Sequence, residues 1–563
     1  MTFAPGHVAE LALRLVHDAM TILRGSRAEA REQREHAPGR FADLWTYLGA
    51  AWSARSGDLR AAGPAARGLI AAYPDLWGAL LIDATWTSRH GEPTRALAET
   101  RRLRALRDTR LVRERELDLE GRLRETDPTW LPVLSGEPEV LAPGDRRVVM
   151  HMLKASLPDR QSGYTIRSRE VLRAQAEAGL RPFVVTPYGY PPIAARADVP
   201  KSEVVEGIRH HRLAPGADLD GLRGPDQLER TAALAADVVR VERPAVIHVA
   251  SGHRGYEYAL VAAALKHSLG VPMVYEVRGF LEESWTNDPE VSAIAADAEL
   301  TRRRRAQEDR MMAAADGVTT LGSAMRAELV ARGVPEDKVV VVPNGIDPEA
   351  FQPMPSDDEL RRRYGLEGRW VFGYISNMDH VREGQGLLIE TTARLVAAGR
   401  RVACLLVGDG DLRAGLEADA ARAGVRDFVI FTGQVPHATV AAHYALLDAF
   451  VVPRMADRAS RFVTPLKPYE AMAMGVPLVV SDVPALTEIA TPDERGLSFP
   501  VGDAEGLQAA LERLMDHPEL ATALRDSARA WVLAERTWAA NGPRYRDLYE
   551  RVVDGSRATH EAV

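Results

Sequence analysis

Cysteine is nearly absent: Cys404 is the only one in 563 residues. Disulfides and cysteine-rich metal sites are thereby excluded, and Cys404, set inside the apolar run VACLLV, reads as a core residue. No run of about eighteen apolar residues is present, so a membrane-spanning helix is not expected. The opening MTFAPGHVAE has neither the basic nor the apolar region of a signal peptide, and the expectation is a cytoplasmic protein, at most peripheral to the inner face of a membrane. A basic excess is missing too. The formal net charge of −8 argues against a general nucleic-acid binder. There is no H-x-E-x-x-H pattern and no D-x-D-type acid pair in a ligating position, since Asp409-Gly410-Asp411 reads as a turn; no metal is expected.

What is there is long enough for several cores. Residues 1–127 read as helices without strands, rich in Ala, Leu and Arg, with breaks at Gly57-Asp58, Tyr73-Pro74 and Gly91-Glu92-Pro93. Trp45, Leu48, Gly49 and Trp52 follow a tetratricopeptide spacing, and Gly57-Asp58 returns as Gly91-Glu92 about 34 residues on. A tetratricopeptide-like domain open to a protein partner and a plain helical cap are both compatible with that pattern. Prolines and glycines mark 128–145 as a linker. From 146 to 345, short apolar strands (VVMHML, PFVVTP, AVIHVA, PMVYEV, GVTTL, KVVVV) alternate with helical stretches. A second series in 346–530 runs through WVFGYI, VACLLVG, FVIFTG, AFVVP and PLVVSD. Such alternation predicts an α/β protein with two parallel sheets covered by helices and a cleft beyond the strands' carboxyl ends. Residues 531–563 read as closing helices.

The richest stretch is Val463 to Asp482, VTPLKPYEAMAMGVPLVVSD. Pro465 and Pro468 hold the chain extended around Lys467, and Pro468 is placed to start a helix through Tyr469, Glu470 and Ala471. Such a loop can aim a cation and free amides at a phosphate. Glu470, in the first turn, either stabilises the helix dipole or accepts hydrogen bonds from a ligand. In the first series Ser162-Gly163-Tyr164 follows a strand and opens a helix; Gly163 lets the backbone come close to a ligand, or only makes the turn.

This stretch resembles the donor-binding segment of family-four retaining glycosyltransferases of the GT-B fold, in a branch with PLKPxEAMA. The resemblance extends in order through RRVVMHMLKASLPDRQSGYTIRSREVLRAQAEAGLRPFVVTP, VIHVASGHRGYEYALVAAALKHSLGVPMVYEVRGFLEE, KVVVVPNGIDPEAF and IFTGQVPHATV, covering the chain from about Arg146. It implies a GT-B fold, with 146–345 as acceptor domain, 346–530 as nucleotide-sugar domain and 531–563 crossing back to the first. The implied activity is transfer of a sugar from a nucleotide diphosphate sugar, a co-substrate and not a cofactor, to a hydroxyl of a glycan, lipid-linked or small-molecule acceptor in polysaccharide or cell-surface glycan biosynthesis.

By resemblance Glu470 bonds the donor's ribose, beside Pro468 and Tyr469, and Gly433, Gln434 and Val435 line the base. Lys467 and Arg454, in the loop before Glu470, are read as the cations that serve the diphosphate in place of the family's usual basic pair, and by resemblance Gly163 faces the reacting phosphate and acceptor. His253, in the HVASGH segment, stands for the family's histidine near the reacting sugar. Arg461 and Arg458 add cations in a loop where a solvated role competes. Arg278, at the YEVRG strand end, serves either the acceptor or an interdomain pair. Two departures stand out: Phe462 replaces a glutamate eight positions before Glu470, and Glu383 occupies the place of a phosphate-binding lysine. They leave two other readings in view, a sugar-nucleotide epimerase of the same fold and a degenerate nucleotide-sugar-binding scaffold.

Overall fold

The computed structural model describes residues 46–49, 59–142, 144–193, 195, 198–283, 285–286 and 289–561. Trp45, Trp52 and the Gly57-Asp58 break lie outside them.

Two sheets carry most of the chain. The first has the order β3-β4-β2-β1-β5-β6-β7-β8, built from β1 (Val148–Met152), β2 (Arg181–Thr186), β3 (Ser202–Val205), β4 (Ile208–Arg212), β5 (Val246–Ala250), β6 (Met273–Glu276), β7 (Gly317–Thr320) and β8 (Val339–Val341). All its pairings are parallel except β3 with β4. The second has the order β11-β10-β9-β12-β13-β14, from β9 (Trp370–Ile375), β10 (Val402–Val407), β11 (Val429–Phe431), β12 (Ala449–Val452), β13 (Leu478–Ser481) and β14 (Leu497–Phe499). It is parallel throughout. The expected doubly wound α/β architecture is present. β1, β5 and β10 are buried at every position, which is why their sequences run continuously apolar.

The antiparallel β3–β4 pair and β14 were not among the expected strands. The turn of that pair passes through Glu206 and Gly207, both at positive φ, and β3 alternates exposed and half-buried residues, so it lacks the apolar run that betrays a covered strand.

The helix Gly542–Glu561 places Tyr545, Leu548, Tyr549, Val552 and Val553 in one core with Val149, Val171, Val246 and Val274. The C-terminal helix therefore packs on the first sheet.

Compact units do not divide at residues 127 and 145. One gathers the described residues up to Leu134 with Asp218–Ala232 and Leu281–Arg310; the other holds Ser135–Ala217, Ala233–Phe280 and Met311 onward, with both sheets. In the first unit the helices Leu59–Ala72, Trp77–Arg89, Pro93–Leu106 and Arg110–Glu125 follow one another. They enclose small cores around Tyr47, Leu69 and Ile82 and around Trp77, Leu80 and Leu103. Glu299 accepts from the Thr94 amide at 3.0 Å, and Gln307 Nε2 donates to the carbonyls of Glu125 and Asp127 at 2.8 and 2.7 Å. In this unit the helices are interleaved with two later segments of the chain. In the second unit the stretch read as a linker is pinned to the structure: the amides of Glu139 and Leu141 donate to the carbonyls of Ser268 and Leu269.

Candidate active site

In doubly wound sheets ligands gather beyond the carboxyl ends of the strands, where the strand order reverses. These points fall between β1 and β5 in the first sheet and between β9 and β12 in the second. The loops leaving those four strands carry most of the residues singled out from sequence.

After β12, Arg454 is largely buried and directs Nη2 and Nε at the carboxylate of Glu383, at 3.2 and 3.3 Å, and Nη1 at the Val463 carbonyl at 3.1 Å. Glu383 also receives the Tyr374 hydroxyl. Burial opposes its ionisation, but Arg454 and Tyr374 outweigh burial and hold its carboxyl below the usual range. The acid at the lysine's place is therefore the partner of a candidate phosphate-binding cation. Lys467 is half-buried in the same group; burial pushes its ammonium down, while Glu383 and Glu470 oppose that shift.

Lys467–Ala473 is a helix with proline near its start. Glu470 accepts from the Tyr444 hydroxyl at 2.8 Å, which fixes the carboxylate's orientation. It lines a cavity of about 440 Å³ together with Leu466, Ala438, Ala441, Gly345 and, from the first sheet's side, Ile166 and Arg169. Tyr469 is buried in the core, its ring 6.2 Å from Trp531, and Pro468 is buried with it. The expected ligand role of Tyr469 is thus replaced by packing, because a helix that aims Glu470 at the cavity turns the preceding residue inward. Gly433 adopts φ +75 and bridges Gly408; Gln434 is exposed and Val435 packs on the core. Arg461 is exposed, with its guanidinium 5.8 Å from the Phe462 ring centroid.

On the first sheet, Ser162 caps the helix Gly163–Glu177 through a reciprocal bond pair with Thr165. Gly163 is exposed, and a Cβ there would stand 3.7 Å from Leu466, next to Lys467. The loop between β12 and the Lys467 helix meets the first sheet repeatedly. Asn344 Nδ2 donates to the Thr464 carbonyl at 2.8 Å, Arg458 pairs with Glu328 at 2.8 Å, and Phe462 packs on Phe280. From beyond β13, Glu488 accepts from the Ala324 amide at 3.0 Å.

Arg278 is engaged by its own neighbours. It is buried, with Nε and Nη2 bonded to Glu276 at 2.9 and 2.7 Å and Nη1 to Ser168 Oγ and the Tyr164 carbonyl. Arg167 takes the other oxygen of Glu276 and bonds Asn344 Oδ1 at 2.9 Å. Burial alone would raise Glu276, but the two guanidiniums hold it well below the carboxylate range. His248 contacts Glu276 and the Tyr549 hydroxyl, which also receives Gln175, and Gln175 in turn contacts His151. This buried network joins the Gly163 helix, β5, β6 and the C-terminal helix. Glu276, Tyr164 and Ser168 all belong to the first sheet's half, so the pairing of Arg278 is internal to that half and not the expected interdomain pair.

His253 is exposed on the loop after β5, its amide held by the Glu257 carboxylate. Beside it stands a residue that sequence reading passed over. Lys154, just past β1, donates to the Gly252 carbonyl at 2.9 Å and lies 4.6 Å from the Tyr164 ring centroid. Nothing in its neighbours Leu153 and Ala155 signals a site; a lysine beyond an apolar strand end was the one available cue. Among the described residues no three His, Cys, Asp or Glu side chains gather as a metal-holding group. No helix among the described residues is long and apolar enough to cross a membrane.

Two doubly wound sheets with a cavity of about 440 Å³ lined by residues from the sides of both, Glu470 in its wall, match the architecture of the GT-B fold. Comparison with known proteins agrees. Residues 162–345 match the "Glycosyl transferase 4-like domain" and 369–517 match "Glycosyl transferases group 1", together more than half of the chain. The chain belongs to this glycosyltransferase family. It is 28% identical over 373 residues to the 2-deoxystreptamine glucosyltransferase of Streptomyces kanamyceticus, covering 64% of this chain and 92% of that one. It is 29% identical over 381 residues to a GDP-mannose-dependent alpha-mannosyltransferase of Mycolicibacterium smegmatis, covering 66% and 90%. Among solved structures, sucrose-phosphate synthase from Thermosynechococcus elongatus superposes with a TM-score of 0.59 at 21% identity, covering 73% of this chain and all of that one. Anabaena HepE, solved with UDP-glucose, superposes with 0.53 at 16% identity, covering 74% and all of it. These structural likenesses establish the fold.

Proposed function

We propose that this glycosyltransferase works with retention, moving a sugar from a nucleotide diphosphate sugar to a hydroxyl of a glycan or glycoconjugate. The observation that carries the reading is Glu470, oriented by Tyr444 at the wall of the cavity, with Lys467 three residues before it and Gly163 across from Leu466. Glu470 would accept from the ribose hydroxyls. Lys467 and Arg454 would stabilise charge building on the leaving diphosphate. The backbone at Gly433 to Val435 would edge the base.

In this reading the protein supplies no nucleophile. The donor's phosphate takes the acceptor's proton on the face the leaving group departs from, and the protein contributes orientation and charge stabilisation. The relatives named for glucosyl and mannosyl transfer favour a hexose donor.

The Glu383–Arg454 pair favours a second reading, a nucleotide-sugar-binding protein with little turnover, because it neutralises a cation beside the expected diphosphate. A panel of UDP-, GDP- and ADP-sugars separates the two. Release of nucleoside diphosphate, with a product whose anomeric configuration by NMR matches the donor, supports transfer with retention. An inverted product overturns retention, and tight donor binding without release on any acceptor supports the second reading.

A further inference from the structure

The loops after β1 and β5 carry a cluster of cations other than Arg454 and Lys467, the pair proposed for the donor's diphosphate. Lys154 is held in place by three contacts: its Nζ donates to the Gly252 carbonyl at 2.9 Å, its ammonium lies over the Tyr164 ring, and its amide donates to the Tyr164 hydroxyl at 3.3 Å. A lysine so tethered is aimed, whereas a surface lysine samples many rotamers. Arg278 and Arg160 add positive charge near it, and burial, with Lys154, Arg254 and Arg160, holds the His253 imidazole below its ordinary range. The carboxylate in this group, Glu257, is engaged below the loop. It accepts from the amides of His253 and Arg254, and a Cβ on Gly252 would collide with it. Asp159, beside Arg160 in sequence, faces Arg212 at 3.4 Å. Positive charge therefore predominates at the carboxyl ends of β1 and β5, and burial pushes the Lys154 ammonium down to about 8. Bringing an anion to it would oppose that shift.

The cluster belongs to the first sheet, whereas Arg454 and Lys467 come from the second. Tyr164, under Lys154, directly follows Gly163, which faces Leu466. The cations thus come from a different sheet than the donor loop, which the Gly163 helix meets at Leu466. Resting on the transferase reading above, we propose that Lys154 and Arg160, beside His253, form a second anion site that receives a phosphate or carboxylate group carried by the acceptor.

The test uses the full chain with inorganic phosphate as the probe, titrated by calorimetry with and without saturating amounts of whichever of UDP, GDP or ADP binds. Phosphate is expected to bind the nucleotide-saturated protein. Lys154→Met should weaken phosphate about tenfold and Arg160→Ala about threefold, while Lys154→Arg keeps it near wild type, as expected for a charge-assisted contact. Nucleotide affinity should hold within about twofold in all three. Arg160 is exposed, so its variant reads the site even where Lys154→Met folds poorly. Phosphate that competes with nucleotide, or a Lys154→Met loss shared equally by nucleotide, would assign these cations to the donor's diphosphate and overturn the proposal. Phosphate affinity unmoved by both charge-removing variants would overturn it as well. Failure of every nucleotide to bind would sink the transferase reading and leave phosphate binding to be read on the nucleotide-free protein.

Discussion

Phe462 meets Phe280 edge-on, with ring centroids 5.5 Å apart and planes at 85°. The residue at the place of the family pattern's second glutamate thus makes an aromatic contact between the loop before Glu470 and the first sheet. Arg458 stands 4.9 Å from the Phe280 ring centroid. A double-mutant cycle with Phe462→Ala and Phe280→Ala should give a coupling of about 1 kcal/mol in unfolding free energy. Strictly additive losses would mean that the two rings are neighbours without being partners.

Glu470→Gln keeps the shape of the side chain and the Tyr444 contact while removing the charge. Nucleotide affinity should fall about tenfold with the melting temperature little changed, because a neutral amide accepts less strongly than a carboxylate. An unaltered affinity would confine Glu470 to its helix.

Glu383→Gln leaves Arg454 buried without its counter-charge. A loss of about 3 kcal/mol in stability is expected, the usual consequence of breaking one side of a buried pair. Denaturant melts would measure it; a loss below about 1 kcal/mol would show that water already screens the pair.

Acid should destabilise the fold from about pH 6.5 downward. Burial lowers His151, His248 and His210, the last to about 3. Each stays neutral in the folded protein while the unfolded chain takes up a proton near pH 6.5. The unfolded state then binds more protons, so stability falls with pH, by up to about 1.4 kcal/mol per unit for each histidine. His210→Gln should flatten the pH dependence of the melting temperature between pH 6.5 and 4.5; an unchanged slope would exclude His210 from it.

A fragment beginning at Asp145 should fold poorly. Removing the preceding helices strips Asp218–Ala232 and Leu281–Arg310 of the segment with which they form one unit, including the partners of Glu299 and Gln307. A soluble fragment melting cooperatively at the full chain's temperature would show that those contacts contribute little.

The strands of both sheets were legible largely because parallel strands covered on two faces need unbroken apolar runs, as in VVMHM and VACLLV. Proline and glycine placement likewise announced the helix at Lys467 and the turn at Gly163, since those residues restrict or free the backbone wherever they stand. β3 and β4 escaped because a half-exposed edge has no such run. The roles of charged residues were not readable in this way. Arg278 sits at a strand end like a ligand-binding residue, and only the fold brings Tyr164 and Ser168 to it and completes its pairing with Glu276. Glu383 became the partner of Arg454 across 71 residues, and Lys154 became aimed by a carbonyl 98 residues away. Backbone preferences and hydrophobic periodicity act within a few residues and are written locally. The partner of a charge depends on which strand ends the sheet order sets side by side, and that was decided by the tertiary structure.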